Sequence, residues 1–222
     1  MKKTAVFIII VLFFWSCDSS IFSGKLSEGV ITYNLEYLDD GSEKPIIELL
    51  PTEMTITFKK HYSLQVVEGW MGIFRIAGIR HNKENTKTAL LKIMADKYIY
   101  TVGGNGEAFG FNPMKGKKVK FEDETKEIAG YKCKKAVVKW ENKTFDVFYT
   151  DEIKIEDPNW NNPYPEIDGV LMEYQIDMFG IRTQITAKTV EGKDIETEEF
   201  DIPADYKKVS KKEMEDVINK LM

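Results

Sequence analysis

Cysteine and histidine, which build most metal sites and many nucleophilic centres, are almost missing from this chain. Its 222 residues include only two of each: Cys17, Cys133, His61 and His81. No pair of them has the spacing of a metal site. The chain also lacks a nucleophile elbow, a phosphate-binding glycine loop and an HExxH motif. The sequence therefore predicts no catalytic residue, no metal and no cofactor, and we expect that the chain is not an enzyme.

An excess of positive charge is also lacking. The chain has 31 basic and 36 acidic residues, for a formal net charge of −5. An acidic surface repels phosphate backbones, so we expect no nucleic-acid partner. The 43% hydrophobic content is enough for a packed core, and the length is typical of one domain.

No apolar run is long enough to cross a bilayer. The longest, from Ala5 to Trp15, would rise about 16 Å as a helix, roughly half of the hydrocarbon thickness. It follows Lys2 and Lys3, and a short apolar run behind a positive start is typical of a signal peptide. We therefore predict a signal peptide over residues 1–16.

The dipeptide Ser16-Cys17 at the end of this run resembles the lipobox of bacterial lipoproteins. That resemblance implies cleavage before Cys17 and lipid attachment to its thiol; an uncleaved anchor and an ordinary secretory signal are the alternatives. Residues 17–27 would then be a lipidated tether, and residues 28–222 a single β-rich domain. We expect a lipid-anchored position in the cell envelope, at the outer membrane, with the membrane as a partner through the N-terminal lipid.

Beyond Glu28 the apolar residues recur with a period of two. Ile31, Tyr33, Leu35 and Tyr37 alternate with polar residues, which is typical of an antiparallel strand with one solvated face. The same alternation continues near residues 54–59 and 62–66. It then predicts strands over residues 72–80, 86–94, 97–102, 117–127, 131–141, 144–150, 169–178, 181–191 and 195–200.

One helix and one long loop interrupt this pattern. Ser210 and Glu213 form a capping box, and Met214 and Ile218 lie on one apolar face of the helix that follows. Residues 151–168 contain three prolines and predict a long ordered loop. The fold class that we predict is α+β and β-dominated: a curved, mostly antiparallel sheet, or incomplete barrel, with a C-terminal helix.

Polar residues of this loop superficially match a calcium-binding loop. Asp157, Asn159, Asn161 and Asp168 have the spacing of calcium ligands, but Asn162 replaces the glycine of the sharp turn. Polar turn-forming residues explain the pattern better.

Two lysine clusters and one cysteine fall on predicted strands. We interpret the lysines as the solvated face of two neighbouring strands opposite the acidic run 122–124, with contact to anionic lipid head groups as the alternative. We expect Cys133 to be a small core residue. The clustered lysines are Lys115, Lys117, Lys118 and Lys120, then Lys132, Lys134, Lys135 and Lys139.

Aromatic residues are more numerous than a scattered surface population requires. Most belong to the core, but a curved sheet covered by one helix would leave part of an apolar groove open to a hydrophobic ligand. The side chains that we predict for such a groove are Trp70, Phe74, Tyr98, Tyr100, Trp140 and Phe148.

Four segments resemble a family of bacterial envelope lipoproteins that carry a domain of unknown function. They are residues 124–138, 148–153, 169–174 and 200–210. A more distant similarity is to the periplasmic carriers of lipoproteins (LolA-like folds), which implies an apolar groove. Together with the aromatic residues, these resemblances lead to the hypothesis of a non-catalytic lipoprotein that binds a lipid or acyl chain. The alternative is a structural or interaction module that binds another envelope protein.

Overall fold

The computed structural model describes residues 25–39, 50–106 and 109–220. The predicted signal peptide, Cys17 and most of the predicted tether lie outside the described residues. Of the tether, Leu26 pairs with the loop that follows the ninth strand: its amide donates to the Glu152 carbonyl (3.0 Å) and its carbonyl accepts from the Lys154 amide (2.6 Å). Within the described residues, no helix is long and apolar enough to span a bilayer.

Twelve strands form one curved, open sheet. Its spatial order is β12-β6-β5-β4-β3-β2-β1-β11-β10-β9-β8-β7. The strands are β1 (Glu28–Tyr37), β2 (Glu53–Lys59), β3 (Tyr62–Gly69), β4 (Phe74–His81), β5 (Thr86–Ile93), β6 (Asp96–Gly103), β7 (Lys118–Ile128), β8 (Tyr131–Trp140), β9 (Lys143–Thr150), β10 (Val170–Met178), β11 (Ile181–Gly192) and β12 (Lys207–Lys208).

The predicted fold class is confirmed. Within β1–β6 and within β7–β11, strands that are neighbours in sequence pair antiparallel, and short turns with left-handed residues join several of them. Ala129 (φ 51°) and Gly130 (φ 82°) connect β7 to β8, as expected for a two-residue turn that matches the twist of the strands. Over the part of the chain that the structure describes, the sheet does not close, and β7 and β12 are its two edges.

Two pairings depend on residues far apart in sequence. β1 joins the two halves of the sheet by pairing with β11, with Tyr33 opposite Ala187. β12 pairs with β6 in parallel over only two residues, Lys207 and Lys208.

The core has three parts. The main cluster lies between β1–β2 and β8–β10 and includes Tyr33, Trp140 and Tyr164. The other two clusters cover opposite faces of β4–β6, because alternate residues of β5 point to each: Leu90 packs under the 195–206 segment, and Leu91 packs near the helix.

The predicted strand over residues 195–200 is wrong. Ile195 and Phe200 are buried, but the four residues between them are exposed, which is not a period-two pattern, and residues Thr197–Phe200 form a 3-10 turn. They cross the face of the sheet rather than joining its edge, and Phe200 stacks on Tyr62 with ring centroids 5.4 Å apart.

The C-terminal helix is confirmed, with its predicted cap. Helix α1 spans Lys211–Asn219, and the side chains and backbone amides of Ser210 and Glu213 cap each other. Its buried residues are Met214 and Ile218, which pack on Leu91 and Phe109. The helix thereby covers one face of β5 and β6 beside the groove described below.

Candidate functional site

The loop between β9 and β10 is held in shape by its own asparagine residues. Asn159 is buried, and its amide donates to the carbonyls of Ile167 (2.7 Å) and Gly169 (3.1 Å). Its side-chain oxygen accepts from Asn162 Nδ2 (2.9 Å). Of the two asparagines in the calcium-like spacing, Asn159 therefore serves the loop's own backbone. No acidic or histidine cluster that could hold a metal occurs among the described residues.

The same loop packs against β3 and β4 through polar contacts. Trp160 Nε1 donates to Ser63 Oγ (3.0 Å), and Asn161 Nδ2 donates to Gln65 Oε1 (3.2 Å). Because side-chain hydrogen bonds fix both residues, the loop presents Trp160 and Asn161 in one defined position on the sheet.

An ion pair anchors the start of the loop. The guanidinium of Arg80 on β4, which is 7% exposed, contacts the Asp157 carboxylate at 3.0 Å and donates to Asn85 Oδ1 at 3.2 Å. A buried guanidinium needs such partners, because an unpaired buried charge is costly.

A glycine allows the loop to approach this closely. A Cβ at Gly78, in the middle of β4, would lie 2.8 Å from Trp160 Cη2 and 3.2 Å from Asn161 Nδ2. A glycine inside a strand often marks such a close approach.

Two adjoining depressions meet at this glycine, and we call them together the Gly78 groove. The larger encloses about 80 Å³ and the smaller about 20 Å³. The lining that defines the groove is Gln65, Gly78, Tyr100, Phe109, Trp160 and Asn161. It combines three aromatic rings with two amides, and Lys87 and Thr88 lie at the smaller depression.

Burial alters the ionisation of two groups at the rim. Desolvation lowers the pKa of Lys87, and Asp157 partly offsets this effect. Burial raises the pKa of Tyr37 to about 12, and its hydroxyl donates to the Pro51 carbonyl (2.5 Å). Among the described residues that line the groove, Lys87 is the basic side chain and no carboxylate occurs.

The structure does not bring the predicted ligand-binding residues together in one site. Phe74 lines the larger depression and Tyr100 the smaller, while Tyr98 packs beside them. Trp140 and Phe148 belong instead to the main core, and the backbone of Trp70 lies in a turn between β3 and β4. Sequence reasoning missed the rest of the lining, and the interior glycine of β4 was the one signal that could have revealed it. The missed residues are Gln65, Gly78, Phe109, Trp160 and Asn161.

The other candidate residues have structural surroundings. Cys133 is fully buried, as its strand pattern predicted, and desolvation raises the pKa of its thiol to about 11. A neutral thiol is a poor nucleophile. His61 contacts Glu156 (2.5 Å), and His81 contacts Glu84 (3.1 Å) and the Phe200 carbonyl.

The predicted lysine clusters lie partly on the neighbouring strands β7 and β8, and several make ion pairs. Lys135 contacts Glu124 and Asp146, each at 3.0 Å, and Lys134 contacts Asp151 at 2.9 Å. Of these partners, Glu124 belongs to the acidic run 122–124 that was predicted to oppose the lysines, whereas Asp146 and Asp151 lie on β9 and directly after it.

Comparison with known proteins finds similarity to N-glycanases. The family model described as "N-glycanase peptide, N-terminal domain" matches residues 79–159. That segment includes Lys87, Tyr100 and Phe109 of the groove and ends just before Trp160. No curated protein matches the chain.

Two solved structures of PNGF-II, in space groups P21 and C2, share the fold. The chain is 14% and 15% identical to them, and each comparison has a TM-score of 0.54. The matches cover 87% and 86% of this chain but only 34% and 32% of the PNGF-II chains. The chain therefore spans about a third of the length of these proteins.

These findings overturn the predicted family. The resemblance to lipoproteins of unknown function rested partly on residues 124–138 and 148–153, and the N-glycanase model matches both segments. The resemblance to LolA-like carriers was also wrong, because the fold likeness over most of the chain is to PNGF-II.

The predicted function, a lipoprotein that binds a lipid or acyl chain, is overturned with it. The volume of the groove agrees with this correction. Pockets that enclose such a ligand have volumes of several hundred cubic ångströms, whereas the larger depression encloses about 80 Å³. The alternative of a module for another envelope protein gains no support either. Lipid attachment at Cys17, the envelope location and the absence of a nucleic-acid partner stay predictions. What the comparisons show is a shared fold, with a family-model match on β5, β6 and the strands up to the loop that carries Trp160.

Proposed function

We propose that this chain is a non-catalytic glycan-binding domain that contacts carbohydrate at the Gly78 groove. The observation that carries the proposal is the match of the N-glycanase model to residues 79–159, which supply part of the groove lining. The PNGF-II structures also support the proposal. The part that matches this chain is about a third of each PNGF-II chain, so the same fold occurs there within a longer protein.

The chemistry of the groove favours a sugar. One face of a pyranose ring is largely C–H and packs on aromatic side chains, while its hydroxyls need both donors and acceptors. The groove supplies the rings of Tyr100, Phe109 and Trp160. It also supplies the amides of Gln65 and Asn161, and an amide can donate and accept at once.

The volume of the groove restricts how a glycan would bind. About 80 Å³ holds a few waters but encloses no sugar residue, so the glycan would rest along the rim with single substituents inside. The acetamido group of an N-acetylhexosamine has the right character for this position, because its methyl is apolar and its amide pairs with another amide.

The fixed geometry of the loop lowers the cost of binding. Trp160 and Asn161 are already hydrogen bonded to β3, so little side-chain entropy is lost when a ligand arrives. Because these hydrogen bonds use Trp160 Nε1 and Asn161 Nδ2, a ligand would contact the remaining atoms of the two side chains, and the loop would not move.

Titration calorimetry with the full chain tests the proposal. The probes are a peptide that carries one N-linked glycan, the same peptide without it, and free N-acetylglucosamine. We expect measurable affinity for the glycosylated peptide and none for the bare peptide. Equal heats for the two peptides, or no heat for either, would contradict glycan binding.

Two variants test the location. Trp160→Ala should weaken binding about tenfold, because a stacked aromatic ring contributes up to about 1.5 kcal/mol. Met94→Ala is the matched control, since Met94 is 74% exposed and lies outside the groove lining. If glycan affinity persists in Trp160→Ala, the domain binds glycans elsewhere.

A further inference from the structure

The open edge of the sheet at β7 has features that point to a partner. Among the described residues, β7 pairs with β8 on one side and with no strand on the other. The opposite edge is different, because β12 covers β6 at Tyr98 and Ile99. An unpaired strand edge offers a row of backbone donors and acceptors to another strand.

The charges along β7 are arranged as mirror opposites about one aromatic residue. Lys118 and Lys120 lie three residues and one residue before Phe121. Glu122 and Glu124 lie one residue and three residues after it. Lys120 has 78% of its side chain exposed, and Phe121 is 52% exposed. When such a segment meets its own copy in the antiparallel direction, every lysine falls opposite a glutamate.

We propose that β7 is a dimerisation edge, and that its partner is β7 of a second copy of this chain. The two strands pair about a two-fold axis at Phe121. Lys118 then lies opposite Glu124 of the second copy, and Lys120 lies opposite its Glu122. Such an isologous interface makes each ion pair twice, as two-fold symmetry requires.

The positions of the side chains favour this register. Lys120 contacts Glu122 at 3.1 Å, and Glu124 contacts Lys135 of β8 at 3.0 Å, so these charged groups share the solvated face. The pairing of β7 with β8 shifts between Glu122 and Thr125, which leaves Glu124 outside the β8 ladder.

Phe121 lies on the other face, at the rim of the main core. Its ring meets Tyr149 edge to face, with centroids 6.1 Å apart, and Tyr149 is a buried member of that core. Phe121 of the second copy would cover the exposed part of this rim, where burial of apolar surface stabilises association.

Sedimentation velocity of the full chain over a range of concentrations tests the proposal. We expect a reversible dimer. Lys120→Glu should raise its dissociation constant at least about tenfold, because two attractive pairs become repulsive. The double variant Lys120→Glu/Glu122→Lys should restore dimerisation, since it exchanges the charges without changing their complementarity.

A chain that stays monomeric at all concentrations would overturn the proposal. So would a dimer that Lys120→Glu leaves unchanged. Circular dichroism confirms that each variant is folded, and the high exposure of Lys120 makes a folding defect unexpected.

Cysteine cross-linking tests the register in the same protein. In a Cys17→Ser background, Phe121→Cys should form a disulfide-linked dimer, whereas Thr144→Cys, exposed on β9, should not. Cross-linking of both variants to the same extent would contradict the pairing. Neither experiment involves a glycan, so their results are independent of the proposed function.

Discussion

At the scale of single residues, Gly78 decides how the groove is built. Its missing side chain lets Trp160 and Asn161 reach the middle of β4, and both then hydrogen bond to β3. We expect Gly78→Ala to lower the free energy of unfolding by about 1–3 kcal/mol, because the new methyl group would lie 2.8 Å from the indole ring. Urea denaturation followed by circular dichroism measures this loss.

Gly103→Ala provides the matched control for that variant. Gly103 ends β6, and nothing lies within 4 Å of the position of an added Cβ. The control should therefore change stability by less than about 0.5 kcal/mol. Equal effects of the two substitutions would show that the contact between Gly78 and Trp160 is unimportant for stability.

At the scale of elements, the loop between β9 and β10 is a structured unit because Asn159, in its middle, hydrogen bonds to its C-terminal end. We expect Asn159→Ala to destabilise the protein by about 2–3 kcal/mol, since it removes three side-chain hydrogen bonds and leaves buried carbonyls without a donor. Hydrogen exchange should accelerate first at the loop amides, and urea denaturation gives the total change.

The exposed Asn105→Ala variant is the comparison for Asn159→Ala, because Asn105 lies in the turn after β6. A surface substitution of this kind should have little effect. Equal changes in the free energy of unfolding for Asn159→Ala and Asn105→Ala would contradict this account. Water would then replace the lost amide, and packing of residues such as Tyr164 would hold the loop in shape.

Sequence reasoning predicted the strands and the helix better than the tertiary contacts between them. Period-two alternation fixes which residues of β1 face the core, and the capping box at Ser210 defines the start of α1, because both signals are local. Contacts between distant residues are different, because no local pattern encodes them. Examples are the pairing of β1 with β11 and the packing of Trp160 against Gly78. The likeness to N-glycanases was missed for a related reason: period-two alternation is common to antiparallel domains of many families.

At the scale of the whole molecule, the core contains ionisable groups whose neutral form is favoured by burial. Tyr33 and Tyr174 pack edge to face with centroids 6.4 Å apart, and Tyr33 donates to the Leu171 carbonyl. Desolvation raises the pKa of each hydroxyl well above its ordinary value, and burial raises the pKa of Cys133 to about 11. The free energy of unfolding must therefore change with pH in the alkaline range.

The sign follows from proton binding. Below about pH 9 the tyrosines are protonated in both the folded and unfolded chains, and below about pH 8 so is Cys133, so in that range their contribution is fully present. As pH rises further, the unfolded chain loses these protons first, and each buried tyrosine lowers the free energy of unfolding by about 1.4 kcal/mol per pH unit above its ordinary pKa. Urea denaturation at a series of pH values up to pH 11 should show this fall, and tyrosinate absorbance should appear together with unfolding. Tyr33→Phe should flatten the pH dependence by about one group. Tyrosinate absorbance from Tyr33 in the folded protein would contradict the argument, because it would mean that water reaches the centre of the sheet.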